Sequence, residues 1–141
     1  MTIFKSYVAA DMRKLLIGIS LSVMATATQA QAQWVLVTKA KNGNMFYADP
    51  TTKRRTDNVV RIWELSDYVT PVAVNGKLIY SHRSYRQYDC TERTEQTLQF
   101  NSFLGPMASG VSNATVKVPG NEKTFVSPRS VPEALLNFAC K

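Results

Sequence analysis

The sequence predicts a small α+β domain, mainly β, in which a sheet of short strands carries one C-terminal helix. Two observations predict this fold. Segments rich in β-branched and aromatic residues alternate with turn signals through most of the chain, and a helix start signal precedes an apolar stripe at its end. A single pair of cysteines, Cys90 and Cys140, is suited to tying such a fold together.

The segment 12–32 has the three parts of a secretory signal peptide: two basic residues, an apolar run of about a dozen residues, and a small-residue tail ending at Ala32. We therefore expect residues 1–32 to be removed on export and residues 33–141 to form one mature domain. The pattern opens more naturally at Met12 than at the first residue. Its apolar run is shorter than the ~20 residues of a spanning helix, so we expect no transmembrane anchor.

Composition and charge exclude several classes of protein. The chain has 141 residues, of which 45% are hydrophobic and 19% charged, with six Gly and six Pro. These proportions exclude collagen-like, coiled-coil and largely disordered chains. The formal net charge is +7, but part of it belongs to the leader. Because an exported protein meets little DNA or RNA, we expect no nucleic-acid partner.

The first half of the mature chain predicts a hairpin and a central strand. Residues 34–38 and 45–47 are strand-like and flank an Asn-Gly turn. Asp49-Pro50 is predicted to end the second strand, and the polar residues 51–57 to form a connection. Residues 59–65 have apolar side chains at both odd-numbered and even-numbered positions, which predicts a strand that is covered on both faces.

Further strand segments are separated by turns. Asn75-Gly76 predicts a turn. Residues 94–102 alternate, so that Leu98 and Phe100 are predicted on one face and Thr97 on a wet face opposite. The remaining predicted strands are residues 77–80, 85–92 (carrying Cys90), 114–118 and 123–126, the last two split by Pro119-Gly120.

The C terminus predicts a helix that starts at Ser130. Ser130 and Glu133 form a capping-box pattern, and Pro132 occupies the first turn, where its missing N–H is tolerated. One apolar stripe at helical spacing would lie on the sheet. This stripe consists of Val131, Ala134, Leu135, Phe138 and Ala139.

Cys90 and Cys140 are the only cysteines in the chain. In an oxidising compartment, an even pair without metal-ligand spacing is most simply one disulfide. The alternative is a redox-active pair, which the lack of a C-x-x-C spacing disfavours. The disulfide would fasten the end of the helix to a strand.

Several motifs occur in a distinctive order: Tyr47-Ala48-Asp49, Val60-Arg61-Ile62-Trp63, Asp67-Tyr68, Ser81, Tyr88-Asp89-Cys90, Arg93, Gly110 and a helix over 133–140. In this order they resemble the surface-adhesin protein E family. The resemblance implies an antiparallel sheet of about six strands, with the C-terminal helix packed on it and a disulfide joining the two. The chain departs from the family in two ways: the leader has no Cys for lipid attachment, and Phe125 stands where the family often has Trp.

The resemblance implies a secreted, non-enzymatic domain that binds host matrix or serum proteins such as laminin and vitronectin. The alternative is a periplasmic enzyme inhibitor or envelope stress protein that presents a rigid loop, such as 53–57 or 105–110. The expected location is the periplasm, the outer surface or the medium. A second copy of the chain is another candidate partner, because exposed edge strands can pair.

Two groups of basic residues are the candidates for binding a protein partner: residues 53–55 in the polar connection, and three arginines that flank Tyr85 and Tyr88 in the chain. Arg83 and Arg86 have opposite parity and are expected on opposite faces of a strand. Ordinary solubilising charge is the competing interpretation. The candidate residues are Lys53, Arg54, Arg55, Arg83, Arg86 and Arg93.

No catalytic, metal or cofactor site is predicted. His82 is the only histidine, and its neighbour Ser81 would point to the opposite face of a strand, out of reach of a catalytic pairing. The sequence lacks a phosphate-binding glycine loop. We therefore expect a binding protein without a cofactor.

Overall fold

The computed structural model describes residues 31–117 and 122–141. Nearly all of the predicted leader and the Pro119-Gly120 turn lie outside these ranges. The elements are β1 (Val35–Lys39), β2 (Met45–Thr56), β3 (Val59–Val74), β4 (Lys77–Asp89), β5 (Thr94–Phe103), a 3-10 turn (Pro106–Ala108), β6 (Ser112–Lys117), β7 (Thr124–Phe125) and α1 (Val131–Cys140).

The strands form one antiparallel sheet in which β1 to β6 lie side by side in chain order. β7 pairs with the start of β5. Seven strands are therefore present in the described part of the chain, and α1 packs across β1 to β4. This confirms the predicted mainly β architecture with one C-terminal helix.

Two tight turns behave as predicted. Asn75 and Gly76 have φ values of 49° and 75°, the left-handed geometry of a two-residue hairpin turn that matches the strand twist. Gly43 has a φ of 91° in the β1–β2 turn. The two Asn-Gly sequences therefore form the turns of both hairpins.

The prediction that Asp49-Pro50 ends a strand is wrong, because β2 continues to Thr56 with a shift of register between Asp49 and Arg54. The buried Asp49 carboxylate accepts hydrogen bonds from the Thr51 amide and hydroxyl, at 3.0 and 2.6 Å. Asp49-Pro50 therefore forms a bulge within β2 instead of a turn that ends it, and a proline is tolerated at a bulge.

Strand β5 also departs from its prediction. Its pairing with β4 shifts between Tyr85 and Arg86, so that Arg86 pairs with Thr97 while Tyr85 pairs with Gln99. One extra residue, Leu98, is inserted there. The clean alternation predicted for this strand is therefore wrong, and Thr97 and Phe100 lie on the same face of the sheet.

The core lies between α1 and the face of the sheet that it covers, here called the helix face. Ser130 Oγ accepts a hydrogen bond from the Glu133 amide at 3.2 Å, which is one half of the predicted capping box, while the Glu133 carboxylate accepts from the Arg129 amide at 2.7 Å instead of from that of Ser130. The helix buries Leu135, Leu136 and Ala139, of which Leu136 lay outside the predicted stripe. These residues pack on Ala48, Val60, Ile62 and Tyr88.

A disulfide joins Cys90 to Cys140, whose Cα atoms lie 5.7 Å apart, which confirms the predicted bond. Cys90 follows β4 directly instead of lying within the strand. The Asp89 carboxylate accepts hydrogen bonds from the Thr91 and Glu92 amides and so shapes the turn that carries Cys90. The last residue of α1 is thereby fixed to the end of a central strand, where a helix would otherwise fray.

Candidate functional site

The register of β3 and β4 decides which face each candidate arginine occupies. The two strands pair without a shift from Val59–Asp89 to Asp67–Ser81. Arg83 therefore lies on the face opposite α1, here called the open face, and Arg86 lies on the helix face. The opposite orientation expected from their parity is confirmed.

Four of the six candidate basic residues are engaged within the domain. Arg55 donates to the Cys140 carbonyl at 2.6 Å, and Arg93 pairs with Glu133 at 2.8 Å. Arg86 lies between two carboxylates, and Arg83 lies against aromatic rings. The structure therefore spreads the six residues over several surfaces, and the hydrogen bonds that exposed Arg54 makes within the described ranges go to the nearby Thr51 and Lys53 carbonyls.

The open face carries aromatic rings packed against one arginine, Arg83. The Trp63 and Tyr85 ring centroids lie 5.2 Å apart with the planes inclined by 29°. The Arg83 guanidinium lies 5.6 Å from the Trp63 centroid and 5.1 Å from that of Phe103, distances at which cation–π attraction operates. These contacts join four large side chains into one packed group.

Two exposed arginines continue this surface toward the β2–β3 turn. Arg54 and Arg61 are paired across β2 and β3, and Arg61 Nε donates to Gln87 Oε1 at 2.7 Å. They line a shallow depression of about 480 Å³. We call Arg54, Arg61, Trp63, Arg83 and Tyr85 the aromatic–arginine row.

Arg54 and Arg83 of this row were predicted as site residues, with Tyr85 as a neighbouring aromatic, whereas Arg61 and Trp63 were not predicted. Both had been assigned only to a strand covered on two faces. The signal was present in the parity: Arg61 and Trp63 on β3 alternate in step with Arg83 and Tyr85 on β4, which places all four on one face once the strands are paired.

A charged cluster lies on the helix face beyond α1. Glu64, only 4% exposed, accepts a hydrogen bond from the Tyr88 hydroxyl. Arg86 Nε lies 3.5 Å from Glu64 Oε2, and Arg86 Nη1 lies 3.2 Å from Glu95 Oε2. Burial raises the pKa of Glu64 to about 7, although the Arg86 charge and the Tyr88 hydrogen bond oppose this.

His82 borders the same cluster, with its Nδ1 hydrogen-bonded to the Tyr68 hydroxyl. Burial, assisted by the charge of Arg86, lowers the pKa of His82 to about 4, so the ring is neutral at neutral pH. Its neighbour Ser81 faces the other way and bonds to the 3-10 turn, donating to the Gly105 carbonyl and accepting from the Ala108 amide. The two side chains therefore do not meet.

Two further properties of the described ranges bear on function. Residues 31–117 and 122–141 contain no grouping of three or more His, Cys, Asp or Glu side chains that would hold a metal ion. The same ranges contain no helix with the length and apolar character needed to cross a bilayer.

The chain is similar to known proteins in both sequence and fold. The family model for surface-adhesin protein E matches residues 34–141. Crystal form II of Haemophilus influenzae protein E aligns with a TM-score of 0.59 and 13% identity, covering 83% of this chain and 94% of that one. Its selenomethionine form aligns with a TM-score of 0.55 and 12% identity, covering 80% and 89%. No individually curated protein matches the sequence.

Proposed function

The chain belongs to the surface-adhesin protein E family, and from this premise we propose that it is an exported, non-enzymatic domain that binds an extracellular protein. Host matrix and serum proteins are the proposed class of partner. The observation that carries the proposal is the aromatic–arginine row on the open face.

The row has the composition of a protein-binding hot spot. Trp, Tyr and Arg are the residues most enriched at such positions. Stacking of Trp63 on Tyr85 and of Arg83 on Trp63 fixes these side chains before a partner arrives, which lowers the entropy lost on binding. The exposed Arg54 and Arg61 add positive charge, which favours an acidic partner surface.

The disulfide supports export, because such bonds persist in oxidising compartments and are rare in the cytosol. We propose that residues 1–32 are the signal peptide and that the mature domain acts in the periplasm, on the outer surface or in the medium. The leader lacks a cysteine for lipid attachment, so surface retention would depend on a partner, and a second copy of the chain remains a candidate.

The inhibitor alternative requires a rigid loop that enters an enzyme's cleft. Residues 53–56 of the first candidate loop belong to β2. The second, 105–110, is held against the sheet, since the Met107 amide donates to the Asp67 carboxylate at 2.7 Å. Neither segment supports this role as well as the row supports protein binding.

The test uses the protein produced with its leader in an exporting bacterial host. Binding to immobilised matrix and serum proteins is compared with binding to envelope proteins. The double variant Arg54→Glu/Arg61→Glu is expected to lose at least ~10-fold in affinity, chiefly through slower association that depends on salt. Lys41→Glu/Arg129→Glu, which makes the same change of charge at two exposed residues outside the row, is the matched control.

Two results would count against the proposal. One is equal affinity of the double variant and the wild type for a matrix protein. The other is retention of an envelope enzyme alone, which would favour the inhibitor role.

A further inference from the structure

A groove runs along β4 and β5 on the helix face, beside α1. It has a volume of about 280 Å³, close to the lower end of the range for small-molecule pockets. Cross-strand pairs that face the same side of the sheet follow one another at about 7 Å along the strands, so the groove has the length of one or two six-membered rings. The groove is lined by three cross-strand pairs, His82–Ser102, Ser84–Phe100 and Arg86–Thr97.

The β5 bulge builds this groove. Because Leu98 is inserted opposite the Tyr85–Arg86 step, Thr97 and Phe100 both face the groove despite their different parity. An unbroken alternation would turn Phe100 to the open face. Bulges are common beside functional sites, where they redirect a side chain, and here the redirected side chain is the phenyl ring of the groove lining.

The groove offers polar groups that are not used by the fold. Within the described part of the chain, neither the Ser84 nor the Ser102 hydroxyl has a hydrogen-bonding partner. The Tyr68 hydroxyl occupies His82 Nδ1, which leaves Nε2 for a ligand. Hydroxyl groups and a neutral imidazole can each donate or accept, according to what a ligand presents.

The only guanidinium in the groove is already neutralised. Arg86 pairs with Glu64 and Glu95 and donates to the Thr97 hydroxyl at 2.9 Å. Glu64 and Glu95 lie behind the groove lining and offset the charge of Arg86, so little net positive charge is left to attract a phosphate or carboxylate ligand. A neutral ligand rich in hydroxyl groups suits both the charge balance and the polar lining.

We propose that this groove binds one neutral sugar ring of a glycan, with Ser84, Ser102 and His82 bonding its hydroxyls and Phe100 packing on its apolar face. The site is independent of the proposed protein-binding function, since it lies on the opposite face from the aromatic–arginine row.

The test is a titration of the ¹⁵N-labelled protein, followed by amide chemical shifts. Three probes are compared: methyl β-galactoside, a terminal unit of host glycans; N-acetylglucosamine, a unit of bacterial cell walls; and glucuronate, an anionic counterpart. We expect one neutral sugar to bind with a Kd of ~1–10 mM, with shifts concentrated at residues 82–86 and 97–102. Which of the two binds distinguishes a host glycan from a cell-wall polymer.

Matched variants separate the groove from the rest of the surface. Phe100→Ala is expected to weaken binding at least ~10-fold, whereas Phe125→Ala, at a residue 79% exposed on β7, should leave it unchanged. If Phe100→Ala does not fold, Ser102→Ala provides the same comparison with an expected loss of ~3-fold or more. Arg54→Glu/Arg61→Glu should bind sugar normally, which separates this site from the protein-binding surface.

Three outcomes would overturn the proposal: no shifts in the groove with either neutral sugar up to ~50 mM, tighter binding of glucuronate than of both neutral sugars, or unchanged affinity in the folded groove variants.

Discussion

Glu64 and His82, on the helix face, are expected to change the free energy of unfolding with pH in opposite directions. The variant Glu64→Gln should separate the two effects. Burial raises the pKa of Glu64 from 4.5 to about 7, so its contribution to stability is full below pH 4.5 and is lost as pH rises through 7. Burial lowers the pKa of His82 from 6.5 to about 4, so its contribution is full above pH 6.5 and is lost as pH falls through 4.

Between pH 4.5 and 6.5 these two effects have opposite signs. Each reaches ~1.4 kcal/mol per pH unit where the folded and unfolded states differ by one proton. In the wild type they largely cancel, and the free energy of unfolding should change little. In Glu64→Gln only the His82 effect remains, so the free energy of unfolding should rise by roughly 3 kcal/mol across this window.

The variant is suited to the test because Gln keeps an oxygen that accepts the hydrogen bond from Tyr88. The assay is urea unfolding followed by tryptophan fluorescence at intervals of half a pH unit. Glu122→Gln, at an exposed residue, is the control and should follow the wild type. His82→Gln should show the reverse slope, with stability falling from pH 4.5 to 7. A Glu64→Gln profile parallel to the wild type would refute the reasoning.

Three further predictions concern stability and are measured by urea unfolding at pH 7. Cys90→Ser/Cys140→Ser should lower the free energy of unfolding by about 4 kcal/mol, because the bond closes a loop of 50 residues; an unchanged midpoint would contradict this. Ser130→Ala should cost about 1 kcal/mol through loss of the helix cap, whereas Ser130→Asn should cost much less. Ile62→Ala, at a fully buried position under α1, should cost roughly 2–5 kcal/mol, and a loss below 1 kcal/mol would show that the core there is loosely packed.

Local sequence signals predicted those parts of the fold that local interactions decide. Ser130 and Glu133 place the start of α1 because the cap is formed by residues three apart in the chain. Asn75-Gly76 places the β3–β4 turn because few other residue pairs adopt positive φ at both positions. The disulfide followed from counting cysteines in a chain expected to be exported.

The strand boundaries that the sequence did not predict depend on pairing between strands that are distant in the chain. β4 runs unbroken from Lys77 to Asp89, although the chain suggested two separate strands, because β3 and β5 supply hydrogen-bonding partners along its length. β2 passes through Pro50 in a different way, as a bulge in which residues 50–53 are skipped in the register with β3. A neighbouring strand thus overrides a local tendency to turn, as strand propensities depend on context.

The basic residues illustrate a similar limit for the binding surface. The candidates were a basic run at residues 53–55 and three arginines near tyrosines in the chain, yet the roles of these residues follow from their neighbours across the sheet. Arg86 is neutralised by Glu64 and Glu95, whereas Arg61, which was not chosen, is exposed beside Trp63. Charge pattern alone does not separate an arginine that holds the fold together from one available to a partner.

The β5 bulge marks where prediction of function from parity fails in this chain. A register shift of one residue reverses the face of every side chain beyond it. The local sequence of residues 94–102 contains no signal for the extra residue. If the alternation were unbroken, Phe100 would lie on the open face, and the groove beside Ser84 would have no phenyl ring. The proposed sugar site therefore depends on the register of two paired strands, which only the three-dimensional structure reveals.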